Sequence, residues 1–173
     1  PRTISLGTGV AGLDAGAWDA LAGGDNPFVG HAFLSLLESS GSVGGGTGWS
    51  PLPIFADRNG TIVGAAPAYL KTHSQGEYVF DHGWADAWER AGGAYYPKLQ
   101  VSVPFTPCPG RRLLGEATPL LAALETVTAQ NDLSSAHITF CTEEEAAVAE
   151  ARGWLARHGI QFHWANRGYA TFD

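Results

Sequence analysis

The sequence predicts an α+β fold, in which a group of strands is preceded and followed by helices. Leu99, Val101 and Val103 alternate with polar residues, which is typical of a strand with one buried face. An Asn-Gly pair at 59–60 separates two apolar runs, which indicates an antiparallel hairpin. Apolar residues at helical spacing follow Thr118, so helices and strands both contribute to the predicted core.

Composition indicates a globular chain and limits its partners. Of the 173 residues, 45% are hydrophobic and 16% are charged, which is sufficient for a folded core. The net charge is −7 and the lysines are Lys71 and Lys98 alone, so a basic face for nucleic acid is not expected. Cys108 and Cys141 match no metal-binding or CxxC spacing, and no apolar run has the length of a membrane span. We therefore expect a reduced, cytoplasmic setting.

The N-terminal quarter is predicted to be mainly helical. Residues 3–6 form a short strand. Residues 7–12 match GxGxxG but lack a full preceding strand and a ribose-binding acid, so we interpret them as a flexible connector. Asp14 begins a short helix, and Asn26-Pro27 begins a longer one that buries Leu36 and ends near Gly41.

The rest of the chain alternates between strands and helices. Residues 51–56 and 61–70 form the hairpin, and 78–81 form another short strand. Thr118 is a favourable N-cap and predicts a helix to about Asn131. The remaining predicted elements are a small helix within 83–93, the central strand 99–103, a strand at 137–141, a helix from the capping box at Thr142 to about His158, and a closing hairpin of 160–164 and 169–172.

The elbow at residues 105–112 is the first candidate site. It is rich in Pro and Gly, carries two arginines and directly precedes the helix at Thr118. Free amide groups, the helix dipole and guanidinium donors can together bind a phosphate, so Gly110, Arg111 and Arg112 are predicted to bind an anionic cofactor. The alternative is that both arginines are solvated loop residues.

The order of predicted elements resembles the Gcn5-related N-acetyltransferase (GNAT) fold, which has a mixed, largely antiparallel sheet flanked by helices. In that superfamily the pattern Arg/Gln-x-x-Gly-x-Gly/Ala binds the pyrophosphate of coenzyme A. Residues 112–117 match this pattern. The resemblance therefore adds Gly115 and Ala117 to the expected cofactor site, with acetyl-CoA or another acyl donor as its ligand.

Three features depart from that superfamily. Glu116 places a negative charge in the expected phosphate loop, and Pro119 removes an amide donor. Ala149 and Ala151 occupy positions near which many GNAT enzymes have a tyrosine general acid. These departures argue against acetyl transfer by this domain alone.

A closer similarity is to the FemAB-like predicted N-acyltransferases, a bacterial family associated with peptidoglycan biosynthesis. The similar blocks are residues 78–87, 95–100, 103–107 and 162–164. The resemblance implies that residues 1–173 are a single GNAT-like domain, the N-terminal half of a longer two-domain protein. The implied partners are a second GNAT-like half or a homodimer partner, together with a small-molecule or peptide amine acceptor.

Acyl transfer to an amine requires a group that accepts the proton of the amine. Asp81 and His82 are the candidate catalytic pair, and the alternative is that Asp81 caps the next helix. Lys98, Tyr96 and Trp84 are predicted to bind the acceptor, and the alternatives are an edge lysine and aromatic core residues. No metal site is predicted, because the acidic run at 143–145 is typical of a helix N-terminus.

The predicted function is N-acyl or aminoacyl transfer to an amine acceptor such as a peptidoglycan precursor. The alternative is a non-catalytic half that recognises the acceptor and docks onto a catalytic GNAT-like domain. Such a half is expected to expose an apolar patch to its partner.

Overall fold

Two four-stranded sheets form the framework of the structure, a computed structural model that describes residues 2–171. The first sheet has the order β1-β3-β4-β7 and consists of β1 (Arg2–Leu6), β3 (Ile54–Arg58), β4 (Thr61–Ala66) and β7 (Leu114–Gly115), all antiparallel. The second has the order β2-β5-β6-β8 and consists of β2 (Trp49–Pro51), β5 (Ala68–Lys71), β6 (Lys98–Val101) and β8 (Ala136–Ile138). There β6 and β8 run parallel, and the other pairs are antiparallel. The α+β fold and the largely antiparallel pairing are confirmed, whereas the single predicted sheet is in fact two.

The described residues also form five α-helices: α1 (Ala15–Ala22), α2 (His31–Ser39), α3 (His82–Arg90), α4 (Ala117–Gln130) and α5 (Glu143–Glu150). Asp14 caps α1 by accepting a hydrogen bond from the amide of Ala17. At α5 the predicted capping box is formed, because Thr142 and Glu145 accept hydrogen bonds from each other's amides. Both predicted helix starts are confirmed.

Pro67 is the reason that the predicted strand 61–70 belongs to two sheets. The Asn59-Gly60 turn joins β3 and β4 as predicted, with Arg58 paired to Thr61. Proline has no N–H group to donate to a strand ladder, so pairing with β3 ends at Ala66. The chain resumes at Ala68 as β5 of the second sheet.

The core has two main parts, one on each face of the first sheet, and a smaller third cluster of Val43, Trp49 and Tyr69. Alternation along β3 directs Ile54 and Phe55 to opposite faces. Ile54 packs with α4 and with Leu99 and Val101 of β6, which are fully buried as predicted. Phe55 packs with Trp18 of α1, with a 3₁₀ turn at Pro27–Val29 and with α2.

Two predicted elements differ from the structure in the N-terminal half. Residues 78–81 are not a strand, because Tyr78 and Phe80 have positive φ angles of 59° and 52°, outside the extended region. The predicted helix from Pro27 to Ser39 is interrupted at Gly30, giving a 3₁₀ turn at Pro27–Val29 followed by α2. That register leaves Leu36 on the exposed side, so its predicted burial is wrong.

Further differences lie towards the C-terminus. Helix α4 begins at Ala117 with Glu116 at the N-cap, two residues before the predicted N-cap Thr118. Helix α5 ends at Glu150, and no strand forms in the described residues 151–171. A turn does form near the predicted place, where Asn166 accepts hydrogen bonds from the amides of Gly168 and Tyr169. Phe172, the last residue of the predicted hairpin, lies outside the described residues.

Within residues 2–171, no helix combines the length and the apolar character that crossing a membrane requires.

Candidate functional site

A cluster of four buried ionisable residues lies on the face of the second sheet opposite the core. This ion cluster consists of Lys71, Glu77, Asp81 and Lys98, whose side chains are at most 2% exposed in each ion pair. Lys71 and Lys98 are direct neighbours on β5 and β6. Side chains alternate between the two faces of β6, and both faces are buried. Leu99 and Val101 enter the core, and Lys98 and Gln100 point to the opposite face, where the ion cluster lies.

Lys98 is at the centre of the cluster. Its ammonium donates hydrogen bonds to Glu77 Oε2 at 2.8 Å, to Asp81 Oδ2 at 2.8 Å and to Ser74 Oγ at 2.9 Å. These three acceptors use all three donors of the ammonium group. A buried charge is tolerated when it is paired and hydrogen-bonded, and Lys98 fulfils both conditions.

Two tyrosines lie between the cluster and solvent. The phenol of Tyr95 donates a hydrogen bond of 2.9 Å to Asp81 Oδ2, and the Tyr96 hydroxyl lies 2.7 Å from Ser74 Oγ. The Lys98 ammonium is also 5.3 Å and 5.7 Å from the centroids of the Tyr95 and Tyr96 rings. Both tyrosines are half-buried, so they connect the buried charges to the surface.

Lys71 is held less tightly than Lys98. Its ammonium lies 3.5 Å from the centroid of the Trp49 ring, 3.3 Å from the carbonyl oxygen of Gln75 and 3.9 Å from Glu77 Oε1. Burial lowers the pKa of Lys71 to about 8, because a cation leaves water without a close carboxylate partner.

The two carboxylates of the cluster have pKa values shifted in opposite directions. Burial raises the pKa of Glu77, and the hydrogen bond from Lys98 only partly offsets this. Burial would also raise the pKa of Asp81, but the hydrogen bonds of Lys98 and the neighbouring hydroxyls lower it to about 2. Asp81 is therefore ionised at neutral pH and is a weak proton acceptor, which favours a charge-pairing role over general base catalysis.

The predicted catalytic and acceptor-binding residues are only partly brought together. Asp81, Tyr96 and Lys98 belong to the cluster or contact it. His82 and Trp84 lie on α3 and are exposed, and no hydrogen bond joins Asp81 to His82 within residues 2–171. Asp81 occupies the N-cap of α3, but its carboxylate makes no capping hydrogen bond, since it binds Lys98 and Tyr95 instead.

An exposed aromatic segment begins beside the cluster. Glu77 and Asp81 point inward, whereas Tyr78 and Phe80 between them point outward. The exposed side chains of this segment are Tyr78 (49%), Phe80 (77%), Trp84 (66%) and Trp88 (55%). Trp84 and Trp88 are four residues apart on α3 and share one face of the helix. Ion pairing of Glu77 and Asp81 thus fixes the stretch that presents the aromatic side chains.

In the elbow, Arg112 is fully buried and its guanidinium binds backbone carbonyls of the elbow and of the segment after β8. Nε donates to Thr139, Nη2 donates to Cys108, and Nη1 donates to Gly110 and to Arg111, at distances of 2.6–3.2 Å. The guanidinium therefore closes the elbow and does not face an open anion site.

The backbone amides of the elbow are also occupied. Glu145 Oε1 accepts hydrogen bonds from the amides of Arg112 at 2.7 Å and Leu113 at 2.6 Å. Its other oxygen accepts the Thr142 amide within the capping box. The elbow therefore does bind an anion through backbone amides, and that anion is a carboxylate of this chain.

The other predicted cofactor residues surround this arrangement. The Gly110 amide donates to the Phe140 carbonyl, and Arg111 is exposed, with one hydrogen bond to the Leu21 carbonyl. Gly115 lies in β7 with φ of 76°, where an added Cβ would be 2.3 Å from the Val63 carbonyl oxygen. Ala117 is the first residue of α4, and Glu116 forms ion pairs with Arg2 and Arg58.

Sequence reasoning missed four residues of these two arrangements. Lys71 and Glu77 belong to the ion cluster, Ser74 accepts a hydrogen bond from Lys98, and Glu145 occupies the elbow. One signal was present: the two lysines of the chain both lie in strand patterns, where an unpaired charge would be costly. The loop residues that pair with them carry no periodic signal.

One comparison with known proteins identifies a relationship. A family model named FemAB-like, described as peptidoglycan biosynthesis/recognition, matches residues 9–173. The match includes the ion cluster, the aromatic segment and the elbow. No curated protein and no solved structure matches the chain significantly.

Proposed function

The chain belongs to the FemAB-like family of peptidoglycan biosynthesis/recognition, and we propose that it recognises the acceptor in N-acyl or aminoacyl transfer to an amine of a peptidoglycan precursor. Transfer itself is assigned to the assembly that this GNAT-like domain forms with a second, catalytic domain. The observation that supports the proposal is the aromatic segment, whose side chains are exposed on a stretch fixed by buried ion pairs.

The aromatic segment suits an amphipathic ligand. Large aromatic rings present apolar faces, and the indole N–H of tryptophan adds a polar edge. A sugar ring has the complementary distribution, with C–H groups on its faces and hydroxyls at its rim. Exposed apolar residues concentrated in one region of a protein usually mark an interaction site.

Charge on α3 supports an amine as part of that ligand. Asp86 lies between Trp84 and Trp88 in sequence, and Glu89 and Arg90 follow; all three are exposed, so these charges sum to −1. The chain as a whole carries a net charge of −7. A cationic amino group of a stem peptide would be attracted to this surface, which suits an acceptor that is later acylated.

The elbow supports recognition more than binding of an acyl donor. Arg112 and the amides of Arg112 and Leu113 are satisfied within the chain. Glu116 adds negative charge between Arg2 and Arg58. A diphosphate at this place would have to displace Glu145, with loss of the hydrogen bonds that this carboxylate makes.

The proposal is tested by titrating the chain with a soluble disaccharide-peptide fragment of peptidoglycan, monitored by NMR of the tryptophan indole groups. We expect saturable binding that weakens when the free amine of the fragment is acetylated. Trp84→Ala should weaken binding roughly tenfold, which corresponds to about 1.4 kcal/mol.

Leu36→Ala is the matched control, because Leu36 is also exposed but lies on α2, outside the aromatic segment. This variant should bind the fragment like the unmodified chain. Absence of saturable binding, or equal losses in the two variants, would refute the recognition role.

A further inference from the structure

The outer edge of β8 is open for strand addition. β8 pairs with β6 on its inner side, where Leu99 donates to the Ser135 carbonyl and Thr139 donates to the Val101 carbonyl. Backbone groups alternate along a strand, so those of Ala136 and Ile138 point to the other side. Within residues 2–171, these outward groups have no backbone partner. An open edge of this kind is a template for pairing with another strand.

A groove of about 330 Å³ adjoins this edge. It is lined by Ala136 of β8, by Glu125, Thr128 and Ala129 of α4, and by Trp154. Trp154 is oriented by a hydrogen bond from its indole nitrogen to Glu125 Oε1. The groove can therefore receive an apolar side chain from a strand that pairs with β8.

The segment after Trp154 has the pattern of such a strand. Ile160, Phe162 and Trp164 alternate with polar or small residues and are 86%, 93% and 74% exposed. Gln161 contacts the same chain, donating a 3.1 Å hydrogen bond to the Pro107 carbonyl. Because neighbouring side chains of an extended segment point in opposite directions, this contact turns Ile160 and Phe162 away from their own chain.

We propose that residues 160–164 of one copy add as a strand to the β8 edge of a second copy. Residues 160–164 of the second copy add to the β8 edge of the first in the same way, which gives a symmetric strand-exchanged dimer. Each chain carries both the donated strand and the receiving edge. Two copies can therefore form two identical contacts related by a twofold axis. The exposed side chains of each segment present roughly 500 Å². The receiving surface of each contact loses a similar area, and the dimer has two identical contacts. The total surface buried in the dimer is therefore about 2,000 Å², which is sufficient for a stable interface.

Sedimentation velocity over a range of concentrations tests the dimer. The unmodified chain should sediment as a dimer. The double substitution Ile160→Asp with Phe162→Asp should give a monomer whose circular dichroism spectrum is unchanged. Leu36→Asp is the control, because Leu36 is exposed on α2, away from both parts of the contact. It should leave the dimer intact. A monomer at all concentrations, or a dimer that survives the double substitution, would overturn the proposal.

Hydrogen exchange tests where the strand adds. The amides of Ala136 and Ile138 should be protected together with alternate amides of residues 160–164, and this protection should disappear on dilution to monomer. Protection of the same amides that persists in the monomer would show that the segment folds onto its own chain. That result would also overturn the proposal.

Discussion

Lys98 and Arg112 are both fully buried cations, but their charges are neutralised in different ways. Lys98 is held by two carboxylates and a hydroxyl that belong to a loop and to the residue before α3. Arg112 is held mainly by carbonyl dipoles of its own elbow, with Glu145 bound to its backbone amide. Both arrangements join distant segments, the first through ion pairs and the second through hydrogen bonds to backbone groups.

The difference shows what each region contributes. The ion cluster fixes the start of the aromatic segment. Its buried charges therefore determine the position of exposed side chains. The Arg112 elbow has an anion-binding geometry that is already satisfied by Glu145. Four measurements test whether the two regions differ in this way.

Replacing Lys98 should have the largest effect. Lys98→Met leaves Glu77 and Asp81 buried without their cation, and we expect a loss of about 3–5 kcal/mol in the free energy of unfolding. Urea denaturation measures this loss. Lys71→Met is the matched control, because Lys71 lies 3.9 Å from Glu77 and makes no closer ion pair in the described chain. Equal losses in the two variants would show that Lys98 is not the centre of the cluster.

Replacing Arg112 should destabilise the fold, because the backbone carbonyls that its guanidinium binds would lose their hydrogen-bond donors. Arg112→Met removes the donors to Cys108, Gly110 and Thr139, and we expect a loss of about 2–3 kcal/mol. Arg111→Met, at an exposed position, should change stability by no more than about 0.5 kcal/mol. If Arg112→Met is as stable as the unmodified chain, the guanidinium does not close the elbow.

Acid should affect the two regions differently. The pKa of Asp81 is lowered to about 2 from 3.8, so its ionisation stabilises the fold above pH 3.8 and this contribution disappears as pH falls towards 2. The stability difference between the unmodified chain and Asp81→Asn should shrink by roughly 2 kcal/mol over that range. The difference for Arg112→Met should change less, because the acceptors of its guanidinium are backbone carbonyls, which do not titrate. A constant difference for Asp81→Asn would contradict the assigned ion pair.

The smallest effect is expected from acetyl-CoA. Since Glu145 occupies the amides of Arg112 and Leu113, calorimetric titration should give no heat beyond dilution. A saturable signal that weakens with salt and with Arg111→Ala would instead identify the elbow as a donor site.

Local sequence patterns predicted most of the secondary structure around the site. Alternation in residues 99–103 placed Leu99 and Val101 in the core, and the Asn59-Gly60 pair located the hairpin. Asp14 and the capping box at Thr142 fixed two helix starts, because these signals depend on side chains within four residues of each other. Block similarity identified the FemAB-like family, and the GNAT-like arrangement of the two sheets stays a prediction.

The partners of the buried charged residues depend on the tertiary structure. Lys98 and Glu77 are 21 residues apart, and Arg112 and Glu145 are 33 apart, so no local pattern links them. From sequence, Lys98 was interpreted as an acceptor ligand or an edge lysine, and Arg112 as a phosphate ligand or a solvated arginine. Burial changed both interpretations, because a charge removed from water must be paired, and only the folded chain determines which partners are within reach.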